Sequence, residues 1–302
     1  MTDSTRGMLL GVLGVFLFAL TLPMTRLAVG DMAAPQLSPG FVAMGRAAVA
    51  GLLSIAYLGC TGARRPTAQE ARWLLVTAAG VVFGWPLLLG MALRRVDAVH
   101  AAVITGVLPL ATAAIGALLL RQRPSRGFWA CAVAGLALVI GFAGWRGAGR
   151  LQPADALLLG AVLATSVGYV TGARLSLSLK PEQVISWLLV LALPVTLPLA
   201  IAWAPQTQIA ASAWGGFAYV SLFSQWLGFF AWYRALALGG TLRVSQVQVL
   251  QPFMSMLLAA PLLGEHVDAT SLVFAAVVIT VVWIGRRMPV DTRYRAATET
   301  KP

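Results

Sequence analysis

The 302-residue chain is 59% hydrophobic and only 11% charged, a balance that excludes an ordinary soluble domain and describes an integral membrane protein. Its formal net charge of +12 does not indicate a nucleic-acid partner, because the arginines stand in short clusters between long apolar runs and form no basic face. Two cysteines, Cys60 and Cys131, offer no ligand-like pair; both read as buried thiols, and no disulfide, metal site or cofactor is expected.

A bilayer core about 30 Å thick takes about 20 helical residues to cross, and runs near that length follow one another along the chain. The first, 7–28, opens behind Arg6 much as a signal peptide does. No A-x-A-like cleavage site follows it closely and similar runs continue, so it reads as a membrane helix. The others are predicted at 39–60, 72–93, 98–120, 127–145, 154–174, 183–203, 213–236, 242–263 and 269–287, ten spans in all. Between them lie breakers and charges, such as GDMAAPQLSPG after the first span, TGARRPTAQEAR after the second and RQRPSRG after the fourth.

With both termini placed in the cytoplasm, sixteen basic residues fall on the inner side and five on the outer, the five being Arg26, Arg94, Arg95, Arg146 and Arg150. That bias predicts a multi-pass protein of a bacterial-type inner membrane with cytoplasmic ends. A shift of 143 residues lays ALRRVDAVHAAVITGVLPLATAAIGALLLRQR on ALALGGTLRVSQVQVLQPFMSMLLAAPLLGEH without a gap, and Pro109 falls on Pro252. Five spans per half is an odd number, so the halves enter the membrane in opposite senses. The expected fold is all-α, ten transmembrane helices forming two inverted five-helix repeats, 1–148 and 149–290, around a central cavity, with a cytoplasmic tail at 291–302.

Polar residues inside the spans are the candidate site. At 100° per residue Gln248, Gln251, Ser255 and Ala259 share one helix face, and their mates Thr105, Leu108, Thr112 and Gly116 share another. A proline inside each helix removes an N–H and leaves the carbonyl four residues earlier without its usual partner, Thr105 for Pro109 and Gln248 for Pro252. In hydrocarbon such a group must meet another polar group or a wet cavity. The stripes therefore read as cavity wall, with helix-to-helix hydrogen bonding as the alternative. Pro109 and Pro252 are the candidate bending or gating points.

The eighth span carries Gln225, Phe229 and Trp232 on one face, an amide beside rings that could cover a planar or cationic ligand, pack between helices or form an interfacial belt. Trp85 beside Phe83 in span three, and Thr165, Ser166 and Tyr169 in span six, are further candidates, although hydroxyls in membrane helices often bond their own backbone. Arg46 lies inside span two, and either snorkels to the outer interface or serves the cavity. Gly80 and Gly84 have the small-xxx-small spacing of a close helix contact.

All ten carboxylates fall at span ends, in loops or in tails, so no mid-membrane Asp or Glu relays protons. Coupling would then use Asp97, His100 or Glu265, unless the protein is an uncoupled facilitator. Neither H-E-x-x-H, G-x-S-x-G nor a Walker motif is present, which argues against an enzyme or an ATP-driven pump.

Ten spans in two halves, a P-x(8 or 9)-LL helix in each, PLLGEHVD closing the second, PMTRLA ending span one and Arg46 in AMGRAAVAGLL together resemble the EamA family of the drug/metabolite transporter superfamily. The resemblance implies a central cavity and alternating access for a small-molecule substrate: amino acids, aromatic ones included, other metabolites, or planar organic cations. Two positions depart from that pattern: Gln122 stands where the first half would carry its acidic residue, and LFAL around Phe18 replaces a tryptophan-glycine pair. A nucleotide-sugar or phosphorylated-metabolite carrier would need several basic residues on the cavity, and only Arg46 qualifies. A non-transporting scaffold or receptor would have no need of matched polar stripes. The partners expected are thus a small molecule and the lipid bilayer, with no nucleic acid; the oligomeric state is open, and a monomer is compatible.

Overall fold

In the computed structural model residues 3–119, 123–147, 149–239, 247, 250–288 and 290–291 are described. Among them, seven helical stretches are long and apolar enough to cross a membrane. They are Thr5–Val29, Pro39–Cys60 (α3), Ala68–Leu93, Ala98–Leu119, Arg126–Arg146 (α8), Pro153–Leu175 (α9) and Pro181–Ala202 (α10). The first is built from α1 (Asp3–Ala19) and α2 (Thr21–Val29), with a step at Leu20. The third contains α4 (Ala68–Ala78), a π-helical stretch Ala79–Gly84 and α5 (Trp85–Leu93). The fourth is α6 (Ala98–Thr105) followed by α7 (Leu108–Leu119).

Beyond α10, α11 (Ala211–Tyr219) runs through a second π stretch, Val220–Leu227, into α12 (Gly228–Gly239), and α13 (Gln251–Leu263) and α14 (Ala269–Arg287) follow. All these helices fall on the predicted runs, the ninth being described as helix only from Gln251. A two-residue antiparallel pairing of Arg123–Pro124 with Val290–Asp291 closes one end.

Local chemistry accounts for the helix limits. Ser38 and Ser125 accept the N–H of Phe41 (3.0 Å) and Phe128 (3.2 Å), and Thr67 with Glu70 forms a capping box, so first-turn donors are satisfied by side chains. Prolines 39, 153 and 181 stand in the first helical turn, where the missing N–H costs nothing. Gly264 ends α13 in the left-handed region at φ 69°, a conformation that a Cβ disfavours.

Large apolar side chains left exposed recur at helical spacing on the outer helices: Leu9, Leu13 and Phe16 on α1, Val133, Leu136 and Ile140 on α8, Val273 and Val277 on α14. That is the surface of a bundle solvated by lipid rather than water. Inside, α3 lies along α10 and α8 along α14; α1 packs on α12 as α9 packs on α5, and α1 meets α13 as α9 meets α7.

Gly80, Gly84 and Gly168 make the closest of these contacts. A Cβ on Gly80 would sit 2.2 Å from the Ala164 carbonyl oxygen, and one on Gly168 would sit 2.6 Å from Val81 Cγ2. The packing role expected for Gly80 and Gly84 is what the fold gives them. The cysteines correct their expectation: Cys60 is exposed, and Cys131, packed beside Gly285 of α14, is half-buried, both as free thiols.

Gly80→Ala should cost about 1–3 kcal/mol by overpacking against backbone that cannot move aside. Gly141→Ala, whose Cβ meets nothing within 4 Å, should lose none, and thermal unfolding of the two variants in detergent checks the contrast.

Candidate functional site

Two small cavities lie side by side at the centre, each of about 30 Å³. The first is lined by Leu22, Trp85, Ala102, Thr105, Gly106, Leu108, Pro109, Gln251, Pro252 and Ser255, with Ile279 and Val282 of α14. The second is lined by Phe18, Thr21, Arg46, Val81, Trp85, Leu108, Thr165, Tyr169, Ser224, Gln225, Phe229 and Gln251. Trp85, Leu108 and Gln251 belong to both, so these three side chains form the partition.

The cavities exist because helices are interrupted here. The chain leaves helical geometry between Thr105 and Leu108 and resumes with Pro109 as the second residue of α7. Pro252 is likewise the second residue of α13. This corrects the expectation for Pro109: it opens a new helix, where a missing N–H is harmless, and does not kink a continuous one. The break after Thr105 abuts the start of α13, since a Cβ on Gly106 would meet Pro252 Cγ at 3.4 Å.

Both π stretches also border the second cavity, through Val81 on one side and Ser224 and Gln225 on the other. The offset of 143 residues that aligns the halves carries the first π stretch into the second. Widened turns of this kind re-aim side chains and gather at functional sites. Sequence reading missed them; no residue pattern marks a π turn beyond the glycines at 80 and 84.

The polar stripes divide by depth. The mates Leu108 and Gln251 face the cavities. One turn on, the mates Thr112 and Ser255 make helix-to-helix ties: Thr112 Oγ1 donates to Ser166 Oγ at 3.2 Å, and Ser255 Oγ, on the wall of the first cavity, donates to the Ala19 carbonyl at 2.5 Å. Thr105 Oγ1 donates back to the Ala101 carbonyl at 2.7 Å while bordering the first cavity. Gln248 lies outside the described residues.

Arg46 does not snorkel. It stands seven residues into α3, roughly 10 Å along the helix axis, and is 2% exposed. Its Nη2 donates to Ser224 Oγ at 2.9 Å, and Ser224 shares a second hydrogen bond, 2.8 Å, with Thr21 Oγ1. Among the described residues Arg46 Nε and Nη1 have no partner, nor do Gln225 Nε2 and Thr165 Oγ1. Burying a charge without a counterion costs roughly several kcal/mol, so an arrangement like this demands an explanation.

The remaining candidates lie elsewhere. Trp232 is buried against Gly14 of α1, within 3.3 Å of where a Cβ would be, and lines neither central cavity. His100 is buried with its Nε2 2.7 Å from Asp155 Oδ1. Asp155 was not singled out from sequence, because its position near a span start looked like an interface; the packing of α9 beside α6 buries it.

Asp97 and Glu265 border a polar basin of about 580 Å³ together with Arg26, Asp31, Arg146 and His266. Arg26 is within 3.6 Å of Asp31 and 3.8 Å of Asp97. Glu265 accepts the N–H groups of Ala98 and Val99, both at 2.9 Å, and so caps the start of α6. Burial raises its pKa above the ordinary carboxylate value, and those two N–H groups oppose the rise. Asp268 caps α14 through the Ser271 N–H at 2.6 Å and pairs with Arg146 at 2.6 Å. Both hold its pKa below the ordinary 3.8, the Ser271 N–H most strongly.

A lipid-solvated helical bundle with a buried polar centre between interrupted helices belongs to the class of multi-pass membrane transporters. The EamA-like transporter family model matches residues 5–143 and again 152–285, and the chain belongs to that family. It is 43% identical over 289 residues to the "Uncharacterized transporter YdeK" of Bacillus subtilis (strain 168), covering 95% of this chain and 99% of that one. A solved structure described only as "Crystal structure of protein" shares the fold at TM-score 0.63 and 18% identity, over 95% of this chain and 99% of that one.

Two tests follow from this geometry. Ser255→Ala should lower stability by about 0.6 kcal/mol, the average for such ties between membrane helices, whereas Gln251→Ala should leave it unchanged; denaturation in mixed micelles reads both. Asp268→Ala should cost about 1 kcal/mol at neutral pH through the lost cap. Because the folded pKa of Asp268 lies below the unfolded one, its contribution is complete above the ordinary 3.8 and is lost as the pH falls through the folded value. The gap in melting temperature between variant and parent should therefore close on acidification.

Proposed function

We propose that the chain is a secondary transporter of ten membrane spans in two inverted halves, moving small metabolites through the central cavities by alternating access. Amino acids, aromatic ones included, are the substrate class, by export or facilitated diffusion across an inner membrane with both termini cytoplasmic. One observation carries this reading: the walls of both cavities are drawn from spans on either side of the 1–148 and 149–290 division, at positions where helices are interrupted. Several features support the inverted halves: the family model matches twice, the packing partners recur half by half, and the π stretches coincide under the 143-residue offset.

Discontinuous helices beside a midplane site are the usual construction of such carriers. Gln251 and Gln248 would bond the polar end of a zwitterion, and Trp85, Tyr169 and Phe229 would cover its side chain. Pro109 and Pro252 mark where one bundle pivots on the other. The central cavities are too small for a free amino acid, as expected of a state closed around its site. A carrier of organic cations is less well matched, since the charge facing the second cavity is positive. For proton coupling the candidates are Asp97 and Glu265 in the basin and His100 with its partner Asp155.

Uptake of labelled amino acids into proteoliposomes, with and without an imposed pH gradient, tests the reading. Saturable flux independent of the gradient is expected for a facilitator. Flux that follows the gradient would assign coupling to the carboxylates and His100, and no flux of any amino acid would remove the substrate class.

A further inference from the structure

The unmet polar atoms around the second cavity, Arg46 Nε and Nη1, Gln225 Nε2 and Thr165 Oγ1, belong to groups that can donate hydrogen bonds, and they come from three different helices. Among the described residues no Asp or Glu lines either central cavity, and none pairs with the Arg46 guanidinium. A fully buried cation whose only partner among the described residues is the neutral Ser224 hydroxyl is compensated when an anion arrives.

We propose that Arg46 is the anion anchor of the transport site, and that the substrate is a small molecule bearing a single carboxylate and an apolar, commonly aromatic, remainder. The proposal rests on the transporter reading above and narrows it.

The lining selects the charge. Arg46 is the only basic residue described on either cavity, so one negative charge is matched, while a phosphate dianion would lack a second cation. An organic cation meets like charge with no carboxylate to offset it. The Phe18, Trp85 and Phe229 rings take the apolar part. The ammonium of an amino acid finds ring faces or the Gln251 amide oxygen and no counterion. The site therefore reads the carboxylate and is indifferent to the amine.

Proteoliposomes carrying the full chain are tested with labelled 3-phenylpropionate and phenylalanine. Unlabelled 3-phenylpropanamide, phenethylamine and phenyl phosphate serve as competitors. The two carboxylates should bind at least tenfold better than the neutral amide and the amine, and better than the phosphate. Arg46→Lys should weaken carboxylate flux while keeping the preference for acid over amide. Because truncating a buried arginine risks misfolding, the decisive variant is Gln225→Glu, which places a fixed carboxylate on the same cavity wall. It should stay folded and lose carboxylate flux tenfold or more.

Amide, amine or phosphate matching the acids in the parent protein would overturn the anchor and leave the transporter reading standing. So would undiminished carboxylate flux in folded Gln225→Glu. The absence of saturable flux for every compound would overturn both.

Discussion

Hydrocarbon offers no hydrogen bonds, and every departure from a continuous helix in this protein has to be repaired by another part of the chain. The repairs are visible as polar ties between spans. Thr77 meets Thr171 at 2.8 Å, Thr112 meets Ser166, Ser255 reaches the carbonyl at the step between α1 and α2, and Thr21, Ser224 and Arg46 form a chain. Among the described residues eight keep a buried side-chain polar atom without a partner, and three of them, Arg46, Gln225 and Thr165, border one cavity. A membrane protein can carry that imbalance when the missing partner is its cargo.

Close approach is the second requirement. Gly80, Gly84 and Gly168 let α9 touch the first π stretch, and the turn geometry there delivers Val81 and Trp85 to the cavities. On the opposite side the second π stretch delivers Ser224 and Gln225. The same backbone irregularity thus appears once in each half, facing inward both times. The site is built from discontinuities held rigidly by their neighbours rather than from loops.

The polar basin is joined to this centre through α6. Its first N–H groups are held by Glu265, which follows α13, and its last residues line the first cavity. Eight residues separate Asp97 from Thr105, about 12 Å along a helix. A movement that parts Glu265 from Ala98 and Val99 breaks two hydrogen bonds at one end of a helix whose other end forms the cavity wall. Basin and cavity thus share one helix.

Hydrophobic run length placed the helices, and the 143-residue offset paired the two prolines that stand second in α7 and α13, because these are properties of the chain read locally. Of the candidate residues, Arg46, Trp85, Thr105, Tyr169, Gln225, Phe229, Gln251 and Ser255 do border the central cavities. Residue chemistry alone could select them, since polar and aromatic groups inside a span need a reason to be there. Periodicity could not separate Gln251, which divides the two cavities, from Ser255, which lines the first and also ties α13 to α1, because both lie on one face and only the neighbouring helix distinguishes them. Nor could it show that Trp232 packs on Gly14, that Asp155 is buried against His100, or that Arg46 turns inward. Each of those depends on which helix lies alongside. Composition and period determine that a span exists and which face is polar; what that face meets is decided by packing between segments far apart in the chain.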